Sequence, residues 1–379
     1  MIPDRVVAAL RPAARPVCAY VYDTGELRAR ARAVRDALPP SARLLYAVKA
    51  NGHPDLLGAL TSTVDGLEVA SGGELELAES AGARHLAFGG PAKTDTELRA
   101  AVAAGATVNV ESVLELRRLA LVAAGRRVPV ALRVNRTGGV ALPGSHQMAG
   151  TPTPFGIDEG RLPEAVAVAA GLPGVELVGL HLHAVSNNLD AAAHAAFVRD
   201  ALAWSAGTGL RPGSVNVGGG FGVDYTGGRA FDLAALRDGL AGVPAAPRLV
   251  FELGRYLAAG AGWYAAEVLD LKYTHGRWFA VLRGGTHHFR LPAAWGYSHP
   301  FEVLPVARWD YPFDRPEVAG VPVDAVGELC TPRDVLTRGQ RVDRLRAGDV
   351  LVFGNAGAYG WDISHHEFLR HPYPEMIVI

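Results

Sequence analysis

From about residue 43 to residue 260, short apolar segments alternate with amphipathic segments of helical periodicity, and this alternation limits the folds open to the chain. Eight strands alternating with helices predict an α/β fold, a parallel (β/α)8 TIM barrel. An open doubly wound sheet is the alternative, but no GxGxxG motif follows the first strand. The predicted strands are LLYAV (44–48), GLEVA (66–70), HLAFG (85–89), TVNV (107–110), VPVALRV (128–134), VELVGLHL (175–182), SVNV (214–217) and RLVFEL (248–253).

The pattern changes after residue 260, where short strand-like segments are separated by loops rich in Pro and Gly. These segments (AAEVLDL, WFAVLRG, VPVDAVG, DVLVFG and MIVI) predict a second, mostly β domain. We therefore expect a barrel at residues 26–260 and a β-rich domain at residues 1–25 and 261–379. Within the barrel, helices are expected to start after Ser71 and Thr94, because each is followed by Glu three residues later, the spacing of a capping box.

Composition excludes several classes of protein. The formal net charge is -1, and no basic run of five residues suggests binding to nucleic acid or to a membrane surface. No stretch of 18 apolar residues could span a bilayer, and the N-terminus has no continuous apolar h-region, so we expect a cytoplasmic protein. Only two cysteines, Cys18 and Cys330, are present, which argues against a disulfide framework or a Cys-based metal site.

Polar and charged residues stand at or just past the C-terminal ends of the predicted strands. In a barrel these ends converge on one mouth, where active sites are built. The plainer explanation is that loops after strands are polar in any barrel. The residues concerned are Lys49, Ser71, Asn109, Arg133, His181, His183, Gly218 to Gly220, Glu252 and Arg255.

Lys49 is unusual because it follows directly on the apolar segment LLYAV. An ammonium is costly to bury unless it is paired or neutralised. Lys49 could mark the end of the strand and reach the surface. Alternatively, it is a desolvated amine that acts as a nucleophile or forms a Schiff base. The other lysines are Lys93 and Lys272, so amine chemistry has three candidates in all.

Three further motifs suggest which kind of cofactor such an amine would bind. The glycines of VNVGGGFG (215–222) let backbone N–H groups approach a phosphate, although a glycine run can equally be a tight turn. FELGR (251–255) adds a carboxylate that could pair with a protonated ring nitrogen and a guanidinium for a phosphate. The imidazoles of HLH (181–183) could bind a metal or stack on a flat ring, and no HExxH motif or acidic cluster completes a metal site. Together with Lys49, these groups describe a pyridoxal phosphate site.

The sequence resembles the fold type III pyridoxal phosphate-dependent decarboxylases, the family of diaminopimelate and ornithine decarboxylases. The matching stretches occur in the family's order and cover nearly the whole chain. They are YAVKAN (46–51), EVASGGEL (68–75), PFGI (154–157), HLHAVS (181–186), GGGFG (218–222), ELGR (252–255), GELCTPRD (327–334) and GAYG (357–360). The resemblance implies a barrel of the alanine racemase type, pyridoxal 5'-phosphate as cofactor, no metal, and amino acid carboxy-lyase activity.

The resemblance also implies roles for individual residues. Lys49 would hold the cofactor covalently and return a proton to the product, and His183 would stack on the pyridine ring. Glu252 would keep the ring nitrogen protonated, which favours decarboxylation over racemisation because alanine racemases place an arginine there. Cys330 would be a fourth catalytic group; it and Asp334 would reach the active site from the partner subunit of a head-to-tail homodimer. The expected cofactor-binding residues are Lys49, Arg133, His183, Ser186, Gly218, Gly219, Gly220, Glu252, Gly254, Arg255 and Tyr359, with Glu68 nearby.

The sequence differs from the family at a position that contacts the substrate. Diaminopimelate and ornithine decarboxylases usually carry Glu or Asp after the cysteine, where it binds a distal amine, but this chain has Thr331. Stretches such as GGTHHFRLPAAWGYSHPF (284–301) resemble the decarboxylases of citrate-derived siderophore pathways, of the staphyloferrin B type. We therefore expect a small-molecule conjugate of an amino acid and citrate. The expected substrate-binding residues are Asp334, Thr331, Arg290 and His287, with His288 and His299 in the same cluster.

Four alternatives remain open. They are an amino acid carried on another acyl group or a carrier protein, as in antibiotic pathways; diaminopimelate itself; racemisation; and a non-catalytic protein that binds pyridoxal phosphate. The β-rich domain and Cys330 argue against the last, because cofactor storage needs neither.

Overall fold

The computed structural model describes residues 1–379, which form two compact units. The barrel unit comprises Arg28–Asp224 and Arg229–Leu257. The β-rich unit comprises Met1–Leu27, Tyr225–Gly228 and Ala258–Ile379.

Eight strands form the sheet of the barrel unit, and each lies where an apolar segment predicted it. We number them in chain order: β1 Arg43–Ala47, β2 Gly66–Val69, β3 Leu86–Phe88, β4 Thr107–Val110, β5 Val128–Asn135, β6 Val175–His181, β7 Ser214–Asn216 and β8 Arg248–Leu253.

The sheet closes on itself. Each strand pairs in parallel with the next along the chain, from β1 with β2 through to β7 with β8. Strand β8 then returns to pair in parallel with β1, with Glu252 opposite Leu45 and Leu253 opposite Tyr46. The predicted (β/α)8 barrel is therefore confirmed, and the open doubly wound sheet is excluded because such a sheet leaves its outer strands unpaired.

Helices follow the strands as the amphipathic segments predicted. The helices are Thr24–Ala37 before β1, then Pro54–Leu60, Gly72–Ser80, Asp95–Ala103, Val113–Ala123, Leu162–Gly171, Ala191–Gly207 and Leu233–Gly239, and the short Arg255–Ala258 after β8. None of the chain's helices combines the length and apolarity that crossing a bilayer requires.

Both predicted helix starts are confirmed by their caps. The hydroxyl of Thr94 accepts a hydrogen bond from the N–H of Glu97 at 3.2 Å, and the Glu97 carboxylate accepts from the N–H of Thr94 at 2.8 Å. The Ser71 hydroxyl likewise accepts from the N–H of Glu74 at 3.2 Å. Here the carboxylate of Glu74 reaches one residue further back and accepts from the N–H of Ala70 at 2.7 Å, so the reciprocal bond of a capping box is displaced by one residue.

The long segment between β5 and the next helix contains two short strands. His146–Gln147 pairs antiparallel with Val185–Ser186, which lies just beyond β6. Ile157–Asp158 pairs in parallel with the end of β5. These pairings hold the middle of the segment to the chain beyond β6 and its C-terminal part to β5.

The β-rich unit is an eight-stranded sheet. Its first strand pairs antiparallel with residues 262–266 and in parallel with the last strand of the chain, so the N-terminal segment is part of this sheet. Its strands are Cys18–Tyr22, Gly262–Thr274, Arg277–Leu282, Glu302–Leu304, Glu317–Val326, Val335–Arg346, Val350–Phe353 and Glu375–Val378, and its helices are Asp4–Leu10 and Leu291–Trp295. The predicted mostly β domain is thus confirmed.

The cap at Thr94 gives a stability prediction. Thr94→Ala removes the acceptor for the Glu97 N–H and should lower the free energy of unfolding by about 1 kcal/mol. Chemical denaturation followed by circular dichroism measures this change. Thr151→Ala, in an exposed loop, is the matched control and should leave the midpoint unchanged; equal effects of the two substitutions would contradict the assignment of the cap.

Candidate active site

Lys49 lies at the mouth of the barrel, in a single 3-10 turn (Val48–Ala50) directly after β1. Its Nζ donates to Glu68 Oε2 at 2.8 Å, and Glu68 is the buried third residue of β2. The Lys49 side chain is 47% exposed, so the strand does not bury the ammonium; the chain turns just before it and leaves the amine in the mouth. The mouth therefore has an accessible amine that a buried carboxylate holds in position.

Glu252 is the carboxylate of the mouth with the most partners. It lies near the end of β8, where its Oε1 accepts from Asn216 Nδ2 at 2.6 Å and from Asn109 Nδ2 at 3.2 Å. Its Oε2 lies 3.3 Å from His181 Nε2. Burial alone would raise the pKa of Glu252, but His181, followed by Lys49 and Asn216, outweighs burial and holds that pKa far below its ordinary value. Glu252 is therefore a buried carboxylate whose surroundings favour the ionised form.

The two histidines of HLH lie side by side, with ring centroids 6.4 Å apart and planes inclined by 27°. His183 Nδ1 accepts from the N–H of Gly219 at 3.2 Å, which fixes that nitrogen as the unprotonated one. Burial, and then Arg133 and His181, lower the pKa of His183 well below its usual value, so its ring is neutral. No group of three or more His, Cys, Asp or Glu side chains in the chain could hold a metal ion.

The glycine segment after β7 is a tight loop that only glycine can form. Gly218 and Gly220 have φ of 69° and 105°, in the left-handed region. A Cβ at Gly218 would lie 2.2 Å from His183 Nδ1, and one at Gly219 would lie 2.3 Å from the carbonyl oxygen of Glu252. The N–H of Gly218 donates to Asn216 Oδ1 at 2.9 Å, so the side chain of Asn216 links this loop to Glu252.

Arg255 begins the short helix after β8 and is buried, with 7% of its surface exposed. Gly254 before it needs to be glycine because a Cβ there would lie 2.7 Å from the Cβ of Ala50. The end of β8 is therefore packed directly against the turn that carries Lys49. Ser186 lies in the short bridge beyond β6, opposite His146.

Arg133 is held by two residues to which the sequence analysis gave no role. Its Nη1 donates to Glu111 Oε1 at 2.9 Å, and its guanidinium lies 4.7 Å from the centre of the Phe155 ring. Glu111 Oε2 also accepts from the N–H of Gly156 at 2.9 Å, which ties the PFGI segment to the mouth. Glu111 could have been found from the sequence, because it directly follows the TVNV strand at the same end as the other polar residues.

The remaining predicted residues lie in the β-rich unit. Asp334 is buried, and its carboxylate accepts from the N–H groups of Thr286 at 2.6 Å and Leu329 at 2.9 Å. The carboxylate thus forms the centre around which the GELCTPRD loop folds. His287 is fully buried, with Nε2 3.5 Å from Glu328 Oε1, whereas Cys330 is exposed. Tyr359 lies in the GAYG turn with φ of 54°.

Arg290 and Thr331 line an open cavity of about 530 Å³ in the β-rich unit. Sequence reasoning missed two further guanidinium groups in the same cavity, those of Arg333 and Arg338. His365 also lines it, with Nδ1 3.5 Å from Arg290 Nη1, and no Asp or Glu does. The cavity therefore favours an anionic ligand.

Comparison with known proteins places this geometry in context. The sequence model described as "Pyridoxal-dependent decarboxylase, pyridoxal binding domain" matches residues 24–259. A Staphylococcus aureus protein named 2-[(L-alanin-3-ylcarbamoyl)methyl]-2-hydroxybutanedioate decarboxylase is 39% identical over 99% of this chain and 97% of its own length. The L-glutamyl-[BtrI acyl-carrier protein] decarboxylase of Niallia circulans is 32% identical over 94% of this chain and 87% of its own length. The crystal structure of diaminopimelate decarboxylase from M. jannaschii with L-lysine has the same fold, with a TM-score of 0.85, 24% identity, and coverage of 99% of this chain and 89% of that one.

The glycine loop gives a prediction for cofactor binding. Gly218→Ala should weaken the affinity for pyridoxal phosphate by at least 10-fold. The new methyl group would displace His183, and alanine would be strained at the positive φ of this position. Absorbance titration with the cofactor measures this affinity. Gly73→Ala, where a Cβ meets nothing within 4 Å, is the control and should bind normally. Normal binding by both variants would show that the loop does not shape the site.

Proposed function

The chain belongs to the family of pyridoxal-dependent decarboxylases, and from this premise we propose that it decarboxylates an amino acid already joined to citrate. The observation that carries the proposal is the arginine-lined cavity beside Thr331, in a chain that is 39% identical to the S. aureus enzyme. That enzyme's named substrate has an alanine end and a hydroxybutanedioate end with two carboxylates.

The enzyme uses pyridoxal phosphate, and the residues of the barrel mouth fit this cofactor. Lys49 would hold it covalently through an accessible amine. The N–H of Gly218 already donates to Asn216 and that of Gly219 to His183, so the phosphate would be bound by Gly220 and by the guanidinium of Arg255. Ser186 and Tyr359 are further proposed contacts.

Glu252 would pair with the protonated ring nitrogen of the cofactor. When bound, pyridoxal phosphate supplies an electron sink for the electron pair that remains after CO2 leaves, provided that its ring nitrogen is protonated. A carboxylate that stays ionised when buried favours that protonated form. Asn216 and Asn109 donate to Oε1, and Oε2, which lies 3.3 Å from His181 Nε2, keeps a second lone pair for an N–H donor.

The neutral ring of His183 would provide a flat, uncharged surface for stacking on the pyridine ring. Its unprotonated nitrogen, Nδ1, already accepts from the N–H of Gly219, so the ring would bind and orient the cofactor rather than transfer a proton. The amine of Lys49, beside Glu68, is the group that would return a proton to the product carbon.

Two features support an anionic substrate end. Thr331 is neutral, so it offers no carboxylate to a distal ammonium. The cavity lined by Arg290, Arg333 and Arg338 supplies three guanidinium groups, which bind carboxylates in bidentate fashion. Asp334 would act indirectly, because its carboxylate is committed to holding the loop that carries Thr331.

We further propose a cytoplasmic homodimer with shared active sites. In it, Cys330 and the arginine-lined cavity would serve the barrel mouth of the partner subunit. Cys330 has an exposed free thiol, which a reducing compartment would keep reduced. Mixing Lys49→Ala with Cys330→Ala and assaying CO2 release tests sharing: partial recovery of activity on mixing is expected, and no recovery would contradict it.

The role of Glu252 predicts a loss of turnover. Glu252→Gln keeps the shape but removes the negative charge, so kcat for decarboxylation should fall by about 100-fold or more. Steady-state CO2 release measures kcat at saturating cofactor. Glu176→Gln, on the half-buried start of β6, is the control and should keep full turnover. Turnover within a factor of two of the wild type in Glu252→Gln would contradict the role.

The substrate is tested by comparing CO2 release from the citrate amide of 2,3-diaminopropionate, meso-diaminopimelate, ornithine and a glutamyl carrier protein. We expect the highest kcat/KM for the citrate amide. Arg333→Gln should lower that value roughly 10- to 100-fold, mostly through KM, because one charge-assisted contact is lost. Arg341→Gln, exposed on the strand Val335–Arg346 that follows Arg333 but outside the cavity, should be unaffected. Preference for diaminopimelate or for the carrier-linked substrate would overturn the proposal.

A further inference from the structure

A second cavity opens at the opposite end of the barrel from Lys49. It has a volume of about 360 Å³ and is formed entirely by residues of the barrel unit. Arg43 and Arg248, the first residues of β1 and β8, line its mouth. Because Lys49 and Glu252 lie at the other ends of these two strands, this cavity is separate from the active-site mouth.

The cavity exists because the side chains inside the barrel are small. Barrel interiors are usually filled by layers of bulky branched residues. Here Ala87, Ala131, Asn109 and Asn216 are among the residues that line the cavity. The space below the active site is therefore an open well rather than a packed core, and a well of this size holds a small ligand with water.

The mouth of the well is strongly cationic. Arg43, Arg84, Arg248 and His85 line it, and no Asp or Glu does. Asp65 acts on the charge of Arg43 but does not line the well, and its carboxylate already accepts from the N–H of Leu44 and pairs with a guanidinium outside the well. Burial, and then the proximity of Arg248, lower the pKa of Arg43, as expected where like charges converge.

The floor of the well has an unmet hydrogen bond. Asn109 is 1% exposed, and its Oδ1 has no hydrogen-bond partner, although its Nδ2 donates to Glu252. A buried amide oxygen without a donor costs free energy, so Asn109 brings unused acceptor capacity to the lining of the well. The mouth thus favours an anion, and the lining beneath it is polar.

We propose that this well is a binding site for a small anion that carries phosphate or carboxylate groups. The anion pairs with Arg43, Arg84 and Arg248, above the side-chain amides of Asn109 and Asn216 that line the well. The same amides of Asn109 and Asn216 hold Glu252, so occupancy of the well bears on the carboxylate of the active site from the far side. The site is independent of which substrate is decarboxylated.

The experiment is thermal unfolding of the holoenzyme with saturating pyridoxal phosphate. Sodium phosphate and sodium citrate are each compared with sodium chloride at equal ionic strength. We expect a rise in Tm of about 2 °C or more with one or both anions, because a ligand of the folded state stabilises it. Saturating cofactor excludes phosphate from the cofactor's own site, and the two anions distinguish a phosphate ligand from a carboxylate ligand.

Variants locate the effect. Arg248→Gln and Arg43→Gln should each abolish the rise, whereas Arg237→Gln, on an exposed helix outside the well, should keep it. Arg248 is exposed, so this variant should fold even if the substitution at the more buried Arg43 does not. No anion-specific rise in the wild type, or an equal rise in Arg248→Gln and Arg237→Gln, would overturn the proposal.

Discussion

The ionised carboxylate of Glu252 is the constraint on which the barrel mouth depends. A buried charge without partners would cost several kcal/mol, so the fold has to supply them. Asn109 on β4, His181 on β6 and Asn216 on β7 do so, and Glu252 itself is on β8. These contacts fix the spacing of strands β4, β6, β7 and β8 at the mouth of the barrel. The glycine loop is connected to the same network, because Asn216 Oδ1 accepts a hydrogen bond from the N–H of Gly218.

In the proposed function, the chain separates chemistry from recognition. In the barrel mouth, Lys49 and Arg133 pair with carboxylates, and Glu252 accepts from two side-chain amides. In the β-rich unit the GELCTPRD loop folds around the buried Asp334 and leaves Thr331 and Arg333 open. The exposed residues of this loop can therefore differ between relatives while the loop keeps its conformation. This arrangement is consistent with one scaffold acting on diaminopimelate in some relatives and on the anionic conjugate that we propose for this chain.

The barrel was predictable because its strands are short, continuous apolar segments bounded by helices, and all eight formed where they were expected. Lys49 could also be assigned to the mouth, since it follows a strand. The exposure of Lys49 could not be predicted, because the turn that ends β1 at Ala47 has no periodic pattern of apolar residues. The pairing of Asn109 and Asn216 with Glu252 depends on register across the closed sheet, which sequence patterns do not fix. Arg338 joins the cavity only because its strand passes beside the loop that carries Arg333.

The most direct test of the account is to find which lysine holds the cofactor. The purified enzyme would be reduced with borohydride, digested, and its peptides analysed by mass spectrometry. Only Lys49, Lys93 and Lys272 are candidates, and Lys93 is buried and paired with Glu115. The account predicts the mass of a reduced pyridoxyl phosphate group on the peptide that contains Lys49. The same mass on Lys93 or Lys272, or on no peptide at all, would contradict it.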